Sequence, residues 1–111
     1  MAQAYKVLGQ VNPAASTETA VYTVPAGKSA IGSTIVIANN GAPGTTFRIS
    51  VAIAGAAYNI KQNIVPESTP IGGRAVISMT IGITLAETDV IRVFTASANL
   101  SVNVFGTEIT P

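Results

Sequence analysis

The sequence contains no cysteine, no histidine and no tryptophan among its 111 residues. Without cysteine, the chain has no disulfide framework and no thiolate to act as a nucleophile or metal ligand. Without histidine, it lacks the most common general base and the most common metal ligand, and a Ser-His-Asp triad is excluded. We therefore do not expect an enzyme, and we assign no catalytic residue, cofactor or metal site.

Charged residues are also scarce. They make up 10% of the chain, while 48% is hydrophobic, and an average globular domain carries about 25% charged residues. The surface must then consist mainly of Ser, Thr, Asn, Gly and Ala. Such a weakly hydrated surface favours a protein that contacts neighbours in an assembly, and the alternative is a small β domain that is simply low in charge.

The net charge is +1, and the six basic residues are spread along the chain without a cluster. Nucleic-acid binding requires a basic patch, so we expect no nucleic-acid partner. No stretch approaches 18 consecutive apolar residues, so no membrane-spanning helix is expected. The first residues show no apolar segment behind a basic one, and a signal peptide is not expected either.

The pattern that is present is an alternation of apolar and polar residues with a period of two, which is typical of β-strands with one buried face. It is clearest at residues 45–54, where Phe47, Ile49 and Val51 share one face and Arg48 lies on the other. No segment has the spacing of an amphipathic helix, so no helix longer than one turn is expected. The predicted strands cover residues 4–8, 19–24, 30–38, 45–54, 58–65, 75–81, 90–95 and 100–105.

Turn-forming residues separate these strands. Residues 39–44 combine Asn-Gly with a proline, and residues 66–73, with two prolines and two glycines, are predicted to form a long turn. Seven to eight short strands at intervals of roughly 8–12 residues predict one all-β domain over residues 1–111. The expected fold is a seven- to eight-stranded antiparallel β-sandwich of the jelly-roll or Ig-like type.

The stretch Ala26-Gly27-Lys28-Ser29 resembles the end of a nucleotide-binding P-loop. That motif requires an earlier glycine, but Tyr22 occupies that position here. It also requires a helix directly after the loop, where this chain has strand-like residues. We therefore interpret the stretch as a tight turn between two strands, with Lys28 as a candidate surface contact.

Five carboxylates and three tyrosines are the remaining candidates for chemistry. Glu87 and Asp89 could hold a hard cation together with backbone carbonyls, but they are more simply explained as a polar turn in water. A glycosidase-type carboxylate pair has no support in the pattern. Tyr5, Tyr22 and Tyr58 could stack on sugars or bases if they are exposed, and otherwise belong to the core or its rim.

Residues 1–10 precede a break at Pro13 and are predicted to form an N-terminal arm. Tyr5, Val7 and Leu8 give this arm the character of a strand. We expect it to add as a strand to the sheet of a neighbouring subunit.

Two arginines are further interface candidates. Arg48 and Arg92 lie within predicted strands, on faces opposite apolar neighbours. Arginine is enriched at protein interfaces because its planar group pairs with carboxylates. These two side chains either contact a partner or lie in water on a sheet face.

A succession of strand-and-turn phrases extends over nearly the whole chain from Tyr22 onward and resembles a group of small virion structural proteins of tailed bacteriophages, including cyanophages. It contains no catalytic signature. The phrases are YTVPAGKSA (22–30), STIVIAN (33–39), TFRISV (46–51), IGITL (81–85), DVIRV (89–93) and NLSVNVFGTE (99–108).

The resemblance implies a β-sandwich building block of a virus particle, and it supplies no functional residues. The leading expectation is a head decoration (cement) protein on the outer capsid surface, which contacts the major capsid protein as a dimer or trimer. One alternative is a tail, neck or fibre-attachment component of the virion. Another is a carbohydrate-binding module at the host surface.

Overall fold

The computed structural model describes residues 2–111, which form eight β-strands and two short 3-10 helices. Both helices, Ile53–Gly55 and Ile60–Gln62, lie in the connection between β4 and β5, and each is a single turn, as expected. Neither is long and apolar enough to span a membrane. The strands are β1 (Ala2–Val11), β2 (Thr19–Thr23), β3 (Ser29–Asn39), β4 (Thr45–Ala52), β5 (Asn63–Ile71), β6 (Val76–Leu85), β7 (Val90–Thr95) and β8 (Leu100–Thr110).

The strands form two four-stranded antiparallel sheets. The first sheet has the order β1-β8-β3-β6 and the second has the order β2-β7-β4-β5. Four nested pairs, β1 with β8, β2 with β7, β3 with β6 and β4 with β5, wrap around one core. Because three of these four pairs join strands that are not consecutive, the order is that of a jelly roll and not of an Ig-like sandwich. The predicted antiparallel β-sandwich is confirmed.

The core lies between the two sheets and is filled by the inward-facing residues of each strand. In β3 and β8 the alternation buries Ile35 and Ile37 beside Val102 and Val104. Ile49 of β4 faces them from the second sheet. Because each buried isoleucine or valine contributes about 1.5–3 kcal/mol relative to exposure, these strands are held together mainly by apolar packing.

Strand β5 replaces most of the long turn predicted over residues 66–73. The ladder between β4 and β5 includes Pro70 and reaches Ile71, so the turn begins only at Gly72. The prediction was wrong because proline excludes a central strand but not an edge strand, whose outer N–H groups need no partner. β5 is the edge of the second sheet.

Residues 1–10 are the arm predicted for a neighbouring subunit, of which residue 1 lies outside the described residues. Residues 2–11 form β1 and pair with β8 of the same chain. Leu8 is part of the core, while Tyr5 and Val7 are exposed on the outer surface of the sheet. A truncation of residues 1–10 would therefore remove a whole strand and a core residue. It would test the stability of the sandwich as much as any contact with a second subunit.

Candidate functional site

Within residues 2–111, no charged side chain lies on the outer surface of the first sheet. Antiparallel partners point to the same face, so the register of β1, β8, β3 and β6 identifies which side chains point away from the core. We call this surface the uncharged face. Its residues are Gln3, Tyr5, Val7, Gln10, Ser29, Ile31, Thr34, Val36, Ala38, Val76, Ser78, Thr80, Thr84, Ser101, Asn103, Phe105, Thr107 and Ile109.

An apolar patch lies within the uncharged face. Val7 of β1 is directly opposite Phe105 of β8, and Tyr5 lies along the same strand as Val7. The Tyr5 side chain is 81% exposed, and Val7, Phe105 and Ile31 are each about two-fifths exposed. A shallow depression between Tyr5, Ser33 and Phe105 breaks the surface here. Contiguous apolar surface rimmed by polar side chains is typical of a protein interaction site.

The uncharged face lacks charge because the only two charged residues in its four strands point to the core side of the sheet. Lys6 and Glu108 lie on the core side of β1 and β8, at one end of the sandwich. Glu108 is 7% exposed and accepts three hydrogen bonds: from the Tyr22 hydroxyl at 2.7 Å, from Lys6 Nζ at 3.2 Å and from Lys28 Nζ at 3.3 Å. This Glu108 cluster joins strands β1, β2 and β8 to the turn before β3.

The cluster shifts the pKa values of two of its members. The hydrogen bond from Tyr22 lowers the pKa of the Glu108 carboxyl, and the two lysines lower it further against the opposing effect of burial. Burial and the neighbouring carboxylate raise the pKa of the Tyr22 hydroxyl. At neutral pH the cluster therefore contains a carboxylate and an un-ionised tyrosine, in which the hydroxyl is the donor. Lys28, predicted as a surface contact, is engaged in this cluster.

Arg48 is enclosed on the outer surface of the second sheet. Its Nη2 lies 2.8 Å from Glu18 Oε2 and its Nη1 lies 3.0 Å from Glu67 Oε1. The guanidinium carbon is 3.9 Å from the centre of the Tyr58 ring and 4.4 Å from that of Phe94. Two carboxylates and two rings of the same chain thus surround the group, and Arg48 is buried and not solvated on a sheet face. A contact of Arg48 with a partner stays a prediction.

Arg92 has a different role on the same surface. Its Nη1 donates to the carbonyl of Ala56 at 2.7 Å, and its Nη2 donates to the carbonyl of Gly55 at 3.0 Å. Asp89 Oδ1 accepts from the backbone N–H of Ala54 in the same connection. Arg92 therefore holds the β4–β5 connection against the second sheet, and its predicted contact with a partner stays a prediction.

The stretch that resembled a P-loop is a turn closed by a carboxylate of the same chain. Gly27 has a φ of +78°, and its N–H donates to Glu87 Oε2 at 2.6 Å. The N–H of Lys28 donates to the carbonyl of Pro25. An anion would need these backbone donors, and Glu87 occupies the one at Gly27. Asp89 Oδ2 accepts from the N–H of Ala86, so both acids of the polar turn bind backbone groups.

The described residues contain no group of three or more Asp or Glu side chains that could hold a metal ion. Tyr5 and Tyr22 lie on opposite sides of the first sheet, and Tyr58 lies on the outer surface of the second sheet. Tyr22 is buried against Glu108, Tyr58 covers Arg48, and only Tyr5 is widely exposed. A sugar site built from these three rings together is therefore excluded by their positions.

No protein-family model matches the chain, and a search of curated proteins finds no significant match. The candidate site is accordingly defined by geometry alone.

Sequence reasoning identified Tyr5 and Val7 but missed Phe105 and the continuity of the face across four strands. The alternation of residues 100–105 places Phe105 on the outer side, and this signal was available without the structure.

Proposed function

We propose that the chain is a structural building block of a virus particle, and most specifically a head decoration protein that stabilises a tailed-phage capsid by contacts with the major capsid protein. The observation that carries this proposal is the uncharged face. It presents Thr, Ser, Asn and apolar side chains over four strands, with a patch around Tyr5 and Phe105. The phrase-by-phrase resemblance to small phage virion proteins supports the same class.

The dimensions of the sandwich suit this role. It measures 45 × 27 × 20 Å, and the uncharged face extends over four strands of ten or eleven residues each. Specific protein interfaces bury about 800 Å² per partner, which such a face can supply. Charged residues are depleted at the centre of interfaces because burial strips them of water, and here no charge has to be buried. Jelly rolls occur in both capsid and lectin domains, so the fold does not distinguish these roles and the uncharged face carries the proposal.

Cryo-EM of virions made from the genome that encodes the chain tests the proposal. We expect the sandwich on the outer head surface in hundreds of copies, with the uncharged face against the major capsid protein. Six or twelve copies at the tail or neck would replace head decoration by the tail alternative. Absence from the particle, with glycan binding that is lost in Tyr5→Ala, would replace it by the carbohydrate-binding alternative.

A charge introduced into the uncharged face is expected to weaken docking on particles. Asn103 lies on a central strand of this face, and an Asn103→Lys side chain would have to be desolvated in the interface. We expect the variant to bind particles assembled without the natural protein with an affinity reduced about tenfold or more. The measurement is co-sedimentation with such particles.

The matched control is Ala57→Lys, which adds the same charge at an exposed position of the β4–β5 connection. That connection lies over the second sheet, on the opposite side of the sandwich. The Ala57→Lys variant should bind particles with the same affinity as the natural chain. Equal loss in both variants would show a general charge effect, and no loss in either would remove the uncharged face as the docking surface.

A further inference from the structure

The four edge strands of the sandwich differ in how they are protected against pairing with another chain. β1 and β6 are the edges of the first sheet, and β2 and β5 are the edges of the second. An edge strand exposes backbone N–H and C=O groups, which form a template for a further strand. Natural proteins protect such edges with short strands, charged side chains, inward-pointing charges, prolines or β-bulges. The ladders of all four edge strands contain a register shift, so bulges do not distinguish one edge from another.

Three of the four edges have such protection. β2 contains only five residues. β5 contains Pro66 and Pro70, with Glu67 between them. β1 contains Lys6, whose charge points toward the core side of the sheet. Each of these features makes the addition of a strand unfavourable.

β6 has none of the features that protect β1, β2 and β5. Its ten residues, VISMTIGITL, include no proline and no charged side chain, and β-branched residues make up most of them. Its only hydrogen-bonded neighbour within residues 2–111 is β3. Ile81 and Gly82 of β6 together lie opposite Ser33 of β3, so β6 contains one bulge, and the ladder is regular on both sides of it. Val76 at its beginning is 63% exposed.

We propose that β6 is a self-association edge, through which two copies of this chain pair in antiparallel orientation about a two-fold axis. The two first sheets then form one continuous eight-stranded sheet. This inference concerns the strand edge and does not depend on the proposed docking of the uncharged face. Its consequence for that face is geometric, because pairing makes the uncharged faces of both copies continuous.

The occupant is a second copy because β6 is complementary to itself. A two-fold axis perpendicular to the sheet places one residue of the strand opposite the same residue of the copy, since opposite residues must share a face. An axis at Thr80 or its neighbour Ile81 lies at the middle of β6, beside the bulge, and pairs the two halves of the strand. With Thr80 on the axis, Val76 packs against Thr84 of the second copy. Identical strands approach without like-charge repulsion only when they carry no charge, and of the two long edges without proline only β6 meets this condition.

Charge substitutions at Thr80 test the pairing. Thr80 is exposed on the outer side of β6. In Thr80→Lys the two ammonium groups would lie opposite or diagonal to one another, so we expect the dimer dissociation constant to rise about fivefold or more. Thr80→Glu should have the same effect. An equimolar mixture of the two variants should restore the dimer, because opposite charges then face each other. Sedimentation velocity over a concentration series measures all three.

Asn103→Lys is the control, because it adds the same charge to the uncharged face on a central strand. It should leave the dimer intact even though the proposed function predicts weaker docking on particles. Failure of the two proposals can thus be distinguished. A monomer at every concentration, equal loss in Thr80→Lys and Asn103→Lys, or no restoration in the mixture would overturn the pairing.

A cysteine probe tests the register in a chain that has no other thiol. Thr80→Cys should form a symmetric disulfide-linked dimer on mild oxidation, whereas Asn103→Cys should remain monomeric under denaturing electrophoresis. Hydrogen exchange of the natural chain supplies a result that needs no variant. The amides of β6 should become more protected as concentration rises, and those of β5 should not. Equal behaviour of both edges would contradict the proposal.

Discussion

Replacing Glu108 with alanine is expected to lower the free energy of unfolding by about 3 kcal/mol. The variant leaves the Tyr22 hydroxyl buried without its acceptor and separates β8 from the turn before β3. The lysines contribute less, because the side chains of Lys6 and Lys28 are both more than one third exposed and water solvates them when the carboxylate is removed. Equilibrium unfolding in urea at neutral pH measures the difference.

Glu67→Ala is the matched control for this loss. Glu67 is also a carboxylate in an ion pair, but its side chain is 61% exposed and Glu18 remains beside Arg48. The control should cost at most about 1 kcal/mol, as exposed ion pairs usually do. Equal losses in the two variants would show that the burial of Glu108 and its bond to Tyr22 add nothing to stability.

The same cluster predicts how stability depends on pH. The pKa of Glu108 is lowered in the folded chain from its ordinary value of 4.5. A carboxyl with a lowered folded pKa contributes stability above its unfolded pKa, and this contribution is lost as the pH falls through the folded pKa. Glu108→Gln cannot titrate. The stability difference between the natural chain and Glu108→Gln should therefore be largest at neutral pH and narrow from about pH 4.5 downward.

Unfolding curves of both proteins at neutral pH and at successively lower pH values measure this difference. The amide of Glu108→Gln can still accept a hydrogen bond from Tyr22, so the comparison isolates the charge and not the shape of the side chain. A stability difference that stays constant between pH 7 and pH 3 would show that Glu108 does not have a lowered pKa in the folded chain.

The existence of the strands could be predicted from the sequence because the alternation of apolar and polar residues lies within each strand's own segment. Residues 45–52 illustrate this, since Phe47 and Ile49 face the core as their alternation predicts. The pairing of strands could not be predicted in the same way. Lys6 and Glu108 are 102 positions apart and meet only because β1 lies beside β8. This pairing distinguishes a jelly roll from an Ig-like sandwich, and it depends on interactions between distant parts of the chain.

Glu108 shows where a local signal was present and not used. The alternation that buries Leu100, Val102 and Val104 continues through Gly106 to Glu108, so the period places this carboxylate on the core side. A charged residue in phase with a buried face is better interpreted as a member of a paired cluster, because burial without partners is too unfavourable.

Arg48 could not be interpreted from its strand alone. The alternation of β4 correctly placed it on the face opposite Phe47, but its environment comes from three distant segments that contain Glu18, Tyr58 and Phe94. A connection that folds over the outer surface of a sheet leaves no periodic signal. The outer residues of β4 therefore appear solvated in the sequence and are buried in the structure.

Replacing Arg48 with alanine is expected to lower the free energy of unfolding by about 3 kcal/mol. The variant leaves Glu18 and Glu67 close together without the cation between them and opens a cavity below the Tyr58 ring. Arg48→Met should lose less stability than Arg48→Ala, because an apolar side chain of similar length fills this space, although it leaves the same two carboxylates without their cation. Urea unfolding followed by tyrosine fluorescence and circular dichroism measures both variants, with Lys61→Ala on the exposed connection as control.

Arg48→Lys separates the contribution of charge from that of geometry. Lysine keeps the positive charge, but its ammonium group cannot bind two carboxylates through separate planar N–H groups while stacking between two rings. We expect this variant to recover less than half of the stability that alanine loses. Full recovery with lysine would show that charge neutralisation alone stabilises the site. A methionine variant as unstable as alanine would show that the ion pairs, and not the packing between Tyr58 and Phe94, hold the β4–β5 connection on the second sheet.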